Sequence, residues 1–76
     1  MPFKKADIIK RDGLNCYLCG KLLTYATATI EHVIPLFRGG DHKPENAKIA
    51  CQSCNSKKGT KTLTEYKKYR GDYVKT

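Results

Sequence analysis

The four cysteines stand in two pairs, Cys16-Tyr-Leu-Cys19 and Cys51-Gln-Ser-Cys54. Each pair has the C-x2-C spacing that puts two thiolates on one tetrahedral metal ion, and two such pairs in one short chain are a strong signal. The expected use is a structural Zn²⁺ held by Cys16, Cys19, Cys51 and Cys54. Disulfides, a thioredoxin-like redox pair and a rubredoxin-like iron site are the competing uses. A second kind of chemistry lies between and beside the pairs. Glu31 and His32 are neighbours in TIEHVIPL, and Asn55 directly follows the last cysteine. A carboxylate and an amide oxygen are hard donors suited to Mg²⁺ or Mn²⁺. A histidine beside them, unligated and with an ordinary pKa of about 6.5, is a natural general base for water. Base, divalent ion and positive surface together describe phosphodiester hydrolysis.

Each of these residues has a plainer use. His32 would serve equally as a core histidine bonded to a carbonyl, and Glu31 as the partner of a lysine. Asn55 would serve as a helix N-cap. Asn46 reads as structural, and His42, in a polar loop, as exposed and incidental. It is the combination of Glu31, His32 and Asn55 with the two cysteine pairs that favours chemistry.

The elements that must position this set follow from pattern. FKKADIIKRD, residues 3–12, reads as a short helix with Phe3, Ala6 and Ile9 on one face and Ile8 near it, and Gly13 as its stop. TATIEHVI, residues 27–34, is rich in β-branched residues and reads as a strand ended by Pro35. Residues 36–46, LFRGGDHKPEN, read as a loop, and residues 47–50 as a short return strand. A helix is expected from Cys51 to about Lys58, ending at Gly59. Thr62 and Glu65 fit a capping box that opens a last helix over about 63–70. Leu63, Tyr66 and Arg70, with Tyr69 close by, form a stripe that would dock on the core. Thirty-one residues separate Cys19 from Cys51, more than a simple zinc ribbon has. One ion on both pairs would bring the ends of that insert together and set strand beside helix.

The chain has 76 residues, 39% of them hydrophobic, and reads as a single domain over 1–76. A chain this short buries only about 60% of its unfolded surface and ordinarily needs a staple. The N-terminal stretch has no apolar run of signal-peptide length, and no segment is long enough to cross a membrane. An intracellular setting, bacterial or phage-encoded, is expected. The formal charge is +8, or about +6 with four thiolates and one Zn²⁺ counted. Such a surface draws polyanions. From Lys57 onward, basic residues interleave with Tyr66, Tyr69 and Tyr73, a pattern seen in nucleic-acid binders.

The stretch IEHVIPLFRGG, then Asn46, then CQSCNSKKG resembles the HNH endonuclease motif in its zinc-stapled form. The likeness runs from about Cys16 to Gly59. It implies an α+β fold: a small zinc-stabilised ββα-metal domain with flanking helices. It implies that His32 activates water and that Glu31 and Asn55 hold the catalytic Mg²⁺ or Mn²⁺. It implies that Asn46 ties the loop together and helps to orient His32, and that Lys58 matches a basic position of the family's helix. Glu31 stands where the family more often has Asp.

The expected function is metal-dependent cleavage of DNA phosphodiesters, one strand nicked per site. Arg38, Lys57, Lys58 and Lys61 are the candidate DNA contacts. A monomer or weak homodimer is expected, and so short a chain would read few bases or take specificity from a larger partner. A zinc-stabilised DNA-binding module without catalysis and a zinc-ribbon adaptor for an acidic protein are the rivals. One point of geometry stands against a shared pocket: neighbours on a regular strand point to opposite faces, and Glu31 and His32 are neighbours.

Overall fold

A computed structural model describes residues 3–70, with the backbone alone at Arg70. Helix α1 (Lys5–Asp12) comes first, followed by the first cysteine pair, and then strand β1 (Ala28–His32). Two single-turn 3-10 segments, Leu36–Arg38 and Pro44–Asn46, lead into β2 (Ala47–Cys51). Helices α2 (Gln52–Lys58) and α3 (Leu63–Arg70) complete the order. The strands form a two-stranded antiparallel sheet in which Ala28 faces Cys51 and His32 faces Ala47. No helix among the described residues is long and apolar enough to cross a membrane.

The core lies where α1, α2 and the first cysteine turn meet the hairpin. It contains Ile8, Leu18, Leu23, Ala28, Ile49, Ala50 and Tyr66 with three of the four cysteines, Cys16, Cys51 and Cys54. In α1 the buried residue is Ile8, with Phe3 and Ile9 beside it, while Ala6 is exposed. The apolar face is thus centred one residue away from the expected Ala6 line. Arg11 explains that rotation: its guanidinium reaches across to the carbonyls of Pro44 at 2.9 Å and Ala47 at 2.8 Å. The helix is fastened to the start of β2 by charge-assisted bonds as well as by Ile8.

Strand β1 is shorter than TATIEHVI suggests. Past His32 the pairing continues through one bond, Val33 N to Asn46 O at 3.0 Å. Then the side chain of Asn46 takes over. Its Oδ1 accepts from Ile34 N and its Nδ2 donates to the carbonyls of Ile34 and Asp41, all at 2.9 Å. A buried side-chain amide therefore replaces the backbone partner that a longer strand would have had, and closes the loop.

The two glycines of that loop have different tasks. Gly39 has φ 92° and ends the turn Leu36–Arg38 in the left-handed region, where a side chain is strained. Gly40 is needed for space: a Cβ there would lie 1.9 Å from the carbonyl oxygen of Ile34 and 2.9 Å from Asn46 Nδ2. Both neighbours belong to the loop closure, so Gly40→Ala must break it open. An expected loss of about 1–3 kcal/mol, the usual cost of overpacking, is checked by urea denaturation of the two proteins. A melt superimposable on wild type would show that the closure carries no stability.

At its N-terminus α2 is capped by Cys51, whose Sγ accepts from Cys54 N at 3.4 Å. Helix α3 has the expected capping box: Thr62 N donates to Glu65 Oε1 at 2.9 Å and Glu65 N to Thr62 Oγ1 at 3.2 Å. Its docking residue is Tyr66, fully buried, with Leu63 partly so. Tyr69 departs from the expected stripe and is exposed, lying beside Tyr66 with Lys61 Nζ 4.6 Å from its ring. Tyr73 lies outside the described residues.

Candidate active site and metal centre

The two cysteine turns come together as the spacing predicts. The Sγ atoms of Cys16, Cys19, Cys51 and Cys54 all lie within 4.8 Å of one another, and Cys19 and Cys51 are 3.9 Å apart. Thiolate ligands 2.3 Å from one ion in tetrahedral array would stand at about 3.8 Å from each other, so the cage has the right size. Backbone donors are aimed at the sulfurs: Leu18 N and Cys19 N at Cys16 Sγ, and Cys54 N at Cys51 Sγ. Burial alone would raise the Cys16 thiol, but hydrogen bonds from backbone N–H groups bring it down to about 7. Burial, then thiol neighbours, push Cys54 up to about 12. Four sulfurs this close, three of them buried, reach the thiolate state together only around a cation. The donor set fits Zn²⁺.

Beside the cysteine cluster, β1 presents its residues alternately. Thr29 and Glu31 face α2. Asn55, in the middle of α2, donates from Nδ2 to Thr29 Oγ1 at 3.0 Å and to Ile30 O at 3.3 Å. It is not the helix cap, which is Cys51. With its amide nitrogen so fixed, Asn55 Oδ1 accepts no hydrogen bond among the described residues.

Glu31 is only 4% exposed and already has two partners. Tyr17 donates its hydroxyl to Oε1. Lys58 Nζ lies 3.0 Å from Oε2. Burial, and then the bond to Glu31, hold the Tyr17 phenol far above its usual range, so it remains a donor. Lys58 is wholly buried, and its ammonium also donates to the carbonyls of His32 at 3.1 Å and Val33 at 3.0 Å. All three of its protons are therefore used. This corrects the expectation that Lys58 contacts DNA: the side chain runs inward to neutralise Glu31 and never reaches the surface.

His32 points the other way, as strand alternation requires. Its Nε2 lies 2.9 Å from His42 Nδ1, and His42 stacks on Phe3 with ring centroids 4.5 Å apart. His42 is exposed, as expected, but it is not incidental. Burial first, and His42 second, lower the pKa of His32 below its ordinary 6.5, with Glu31 offsetting part of the shift. At neutral pH His32 is thus the free imidazole, the form that a general base needs.

Glu31, His32 and Asn55 therefore lie at one junction of β1 and α2, yet no hydrogen bond joins His32 to either of the others. Two concavities, of about 510 and 700 Å³, flank the cysteine cluster, and neither is lined by these three residues.

Residues 16–69, more than half of the chain, match the HNH endonuclease family. This chain belongs to the HNH endonuclease family. A CRISPR-associated endonuclease Cas9 from Corynebacterium diphtheriae is 29% identical over 52 residues, which cover 67% of this chain. The HNH chain spans about 5% of the length of that relative. The α+β arrangement, an antiparallel hairpin followed by α2 with clustered cysteines, agrees with the ββα-metal fold of HNH domains.

Among the other candidate contacts of this HNH domain, Lys57 is exposed and Lys61 is half-buried. Arg38 is held by Glu65, at 3.0 and 3.3 Å, and by the Thr60 carbonyl. The Arg38 guanidinium, with the Thr62 amide, draws the Glu65 carboxyl down to about 2. Sequence reasoning missed Tyr17 and His42 as members of the site, and named Lys58 as a DNA contact rather than as the partner of Glu31. Lys58 had a signal: it lies three residues after Asn55, hence on the same face of α2. Tyr17 and His42 had none, because each arrives from a turn whose path depends on the tertiary fold.

Proposed function

We propose that this domain hydrolyses DNA phosphodiester bonds in the presence of a divalent ion, nicking one strand per site. The family match over residues 16–69 carries this reading, and the free imidazole of His32 supports it. His32 takes a proton from water, the water oxygen attacks phosphorus, and the 3′ oxygen departs, leaving 5′-phosphate and 3′-hydroxyl ends. Glu31 and Asn55 are the residues that would hold Mg²⁺ or Mn²⁺. Such an ion, when bound, supplies neutralisation of charge on the phosphate oxygens. Both donors have the right chemistry; Asn55 Oδ1 is open, whereas Glu31 is buried and paired with Lys58. Asn46, by closing the loop after β1, supports the backbone that carries His32. Arg38, Lys57 and Lys61 meet the phosphate backbone. The domain works as a monomer or weak homodimer inside a bacterial or phage-infected cell, with a larger partner supplying sequence specificity.

The test is conversion of supercoiled plasmid to the open circle with Mg²⁺ or Mn²⁺, by the zinc-loaded wild type and by Asn55→Ala. Losing the bonds to Thr29 and Ile30 should cost about 1 kcal/mol each, leaving the variant folded. Its nicking rate should fall at least about 100-fold, more than loss of an outer-sphere partner does. Unchanged turnover removes Asn55 from the site.

One observation favours a second reading, a zinc-stabilised DNA-binding module without catalysis: Glu31 is already neutralised by Lys58. Under that reading the wild type binds duplex DNA and leaves the plasmid supercoiled at every Mg²⁺ and Mn²⁺ concentration.

A further inference from the structure

His42 lies ten residues beyond His32, on the far side of the Gly39-Gly40 turn, and the loop closure by Asn46 returns it to the strand. Its Nδ1 is 2.9 Å from His32 Nε2, with the rings at 61°. Its other face is stacked on Phe3, at 27°, from the segment before α1. Two neutral imidazoles in this contact share a single proton, and only two arrangements are open to them. In one, His32 donates Nε2–H to His42 Nδ1, and both rings carry their proton on Nε2, the tautomer that a free neutral imidazole ordinarily prefers. Nε2 of His42, on an exposed side chain, then donates to solvent. In the other, His42 donates from Nδ1, and both rings must hold the less favoured Nδ1–H form. The contact selects the first arrangement for both rings at once.

We propose that His42 is a positioning residue for His32, fixing the imidazole in the Nε2–H tautomer and turning its bare Nδ1 toward the water that it activates. The proposal rests on the reading of His32 as the general base. It adds which nitrogen of that base works and what holds the ring. A neighbouring acceptor that sets a histidine's tautomer is the same device that orients metal-bound and triad histidines. Here the acceptor is a second imidazole, kept in place by the stack on Phe3 rather than by burial.

Two measurements on the zinc-loaded full chain test it. Long-range ¹H–¹⁵N correlation at neutral pH should show His32 protonated on Nε2 and bare on Nδ1. A wild-type spectrum with His32 protonated on Nδ1 overturns the proposal. In plasmid nicking with Mg²⁺ or Mn²⁺, His42→Ala should lower kcat about 10-fold or more with KM within about twofold, because the ring is proposed to act through its contact with His32. His42→Gln, whose Oε1 can accept the same proton, should recover most of the loss. Melting temperature and zinc content should match wild type in both variants, since the side chain is exposed. A wild type that nicks in a His32-dependent way at a rate His42→Ala shares overturns this proposal alone. A wild type that nicks no faster than His32→Ala overturns the nuclease reading and this proposal with it.

Discussion

Cys51→Ser, or removal of the bound ion by a chelator, is expected to unfold the domain altogether. The apolar core is small, with Ile8, Leu18, Leu23, Ile49 and Tyr66 as its larger members, and three of the four cysteines belong to it. Structural zinc contributes about 10–16 kcal/mol in small domains. That equals or exceeds the whole stability of most folded chains, about 5–15 kcal/mol. Cys51 is the most demanding of the four positions because it has three tasks. It ends β2 opposite Ala28, it caps α2 through Cys54 N, and its sulfur lies 3.9 Å from that of Cys19. Without the ion, no covalent or ionic link among the described residues joins the first cysteine turn to the strand–helix junction, which it then meets through packing and the hydrogen bonds of Tyr17. The expected result is loss of helical circular dichroism and of cooperative melting. A Cys51→Ser protein that stays folded without zinc and melts as wild type does would show that the apolar core suffices.

The second large effect is expected at Lys58. Lys58→Met keeps the length and the apolar stem, but withdraws the ammonium from Glu31, His32 O and Val33 O. Glu31 would then be a buried carboxylate whose one remaining partner is Tyr17. Breaking a buried ion pair from one side costs about 3–5 kcal/mol, because the other charge is left without compensation. Glu31→Gln in the same chain removes that charge, and the double variant should regain much of the loss. Urea denaturation of wild type, both single variants and the double variant gives the coupling directly. If Lys58→Met lies within about 0.5 kcal/mol of wild type, as an exposed lysine would, the inward path of this side chain is wrong.

These two effects divide what was legible in the sequence from what was not. The sulfur cage was legible because C-x2-C is a local geometry: two thiolates three residues apart on one turn need no knowledge of the rest. The hairpin, α2 and the Thr62–Glu65 cap were legible for the same reason, since each follows from short-range pattern. The partners of Glu31 and His32 were not. Strand alternation announced that the two would face apart, and they do. What each would meet depended on how α2 rolls against β1, which brings Lys58 to Glu31, and on how the Gly39-Gly40 loop returns, which brings His42 to His32. Lys58 looked like a surface base because lysines ordinarily stay in water. A buried carboxylate is what draws this one inward. The position of Ile8, one step away from the expected face of α1, was likewise set by a distant contact, that of Arg11 with Pro44 and Ala47.

Cleavage by this domain is expected to depend above all on His32 acting as a base in the folded, zinc-loaded state. That dependence is tested most directly by the single-turnover nicking rate of His32→Ala against wild type, at equal zinc content and equal melting temperature. A positioned general base contributes about 10²–10⁴-fold, so the variant should cut at least about a hundredfold more slowly while binding duplex DNA equally well. Equal rates for the two proteins would show that His32 is not the base.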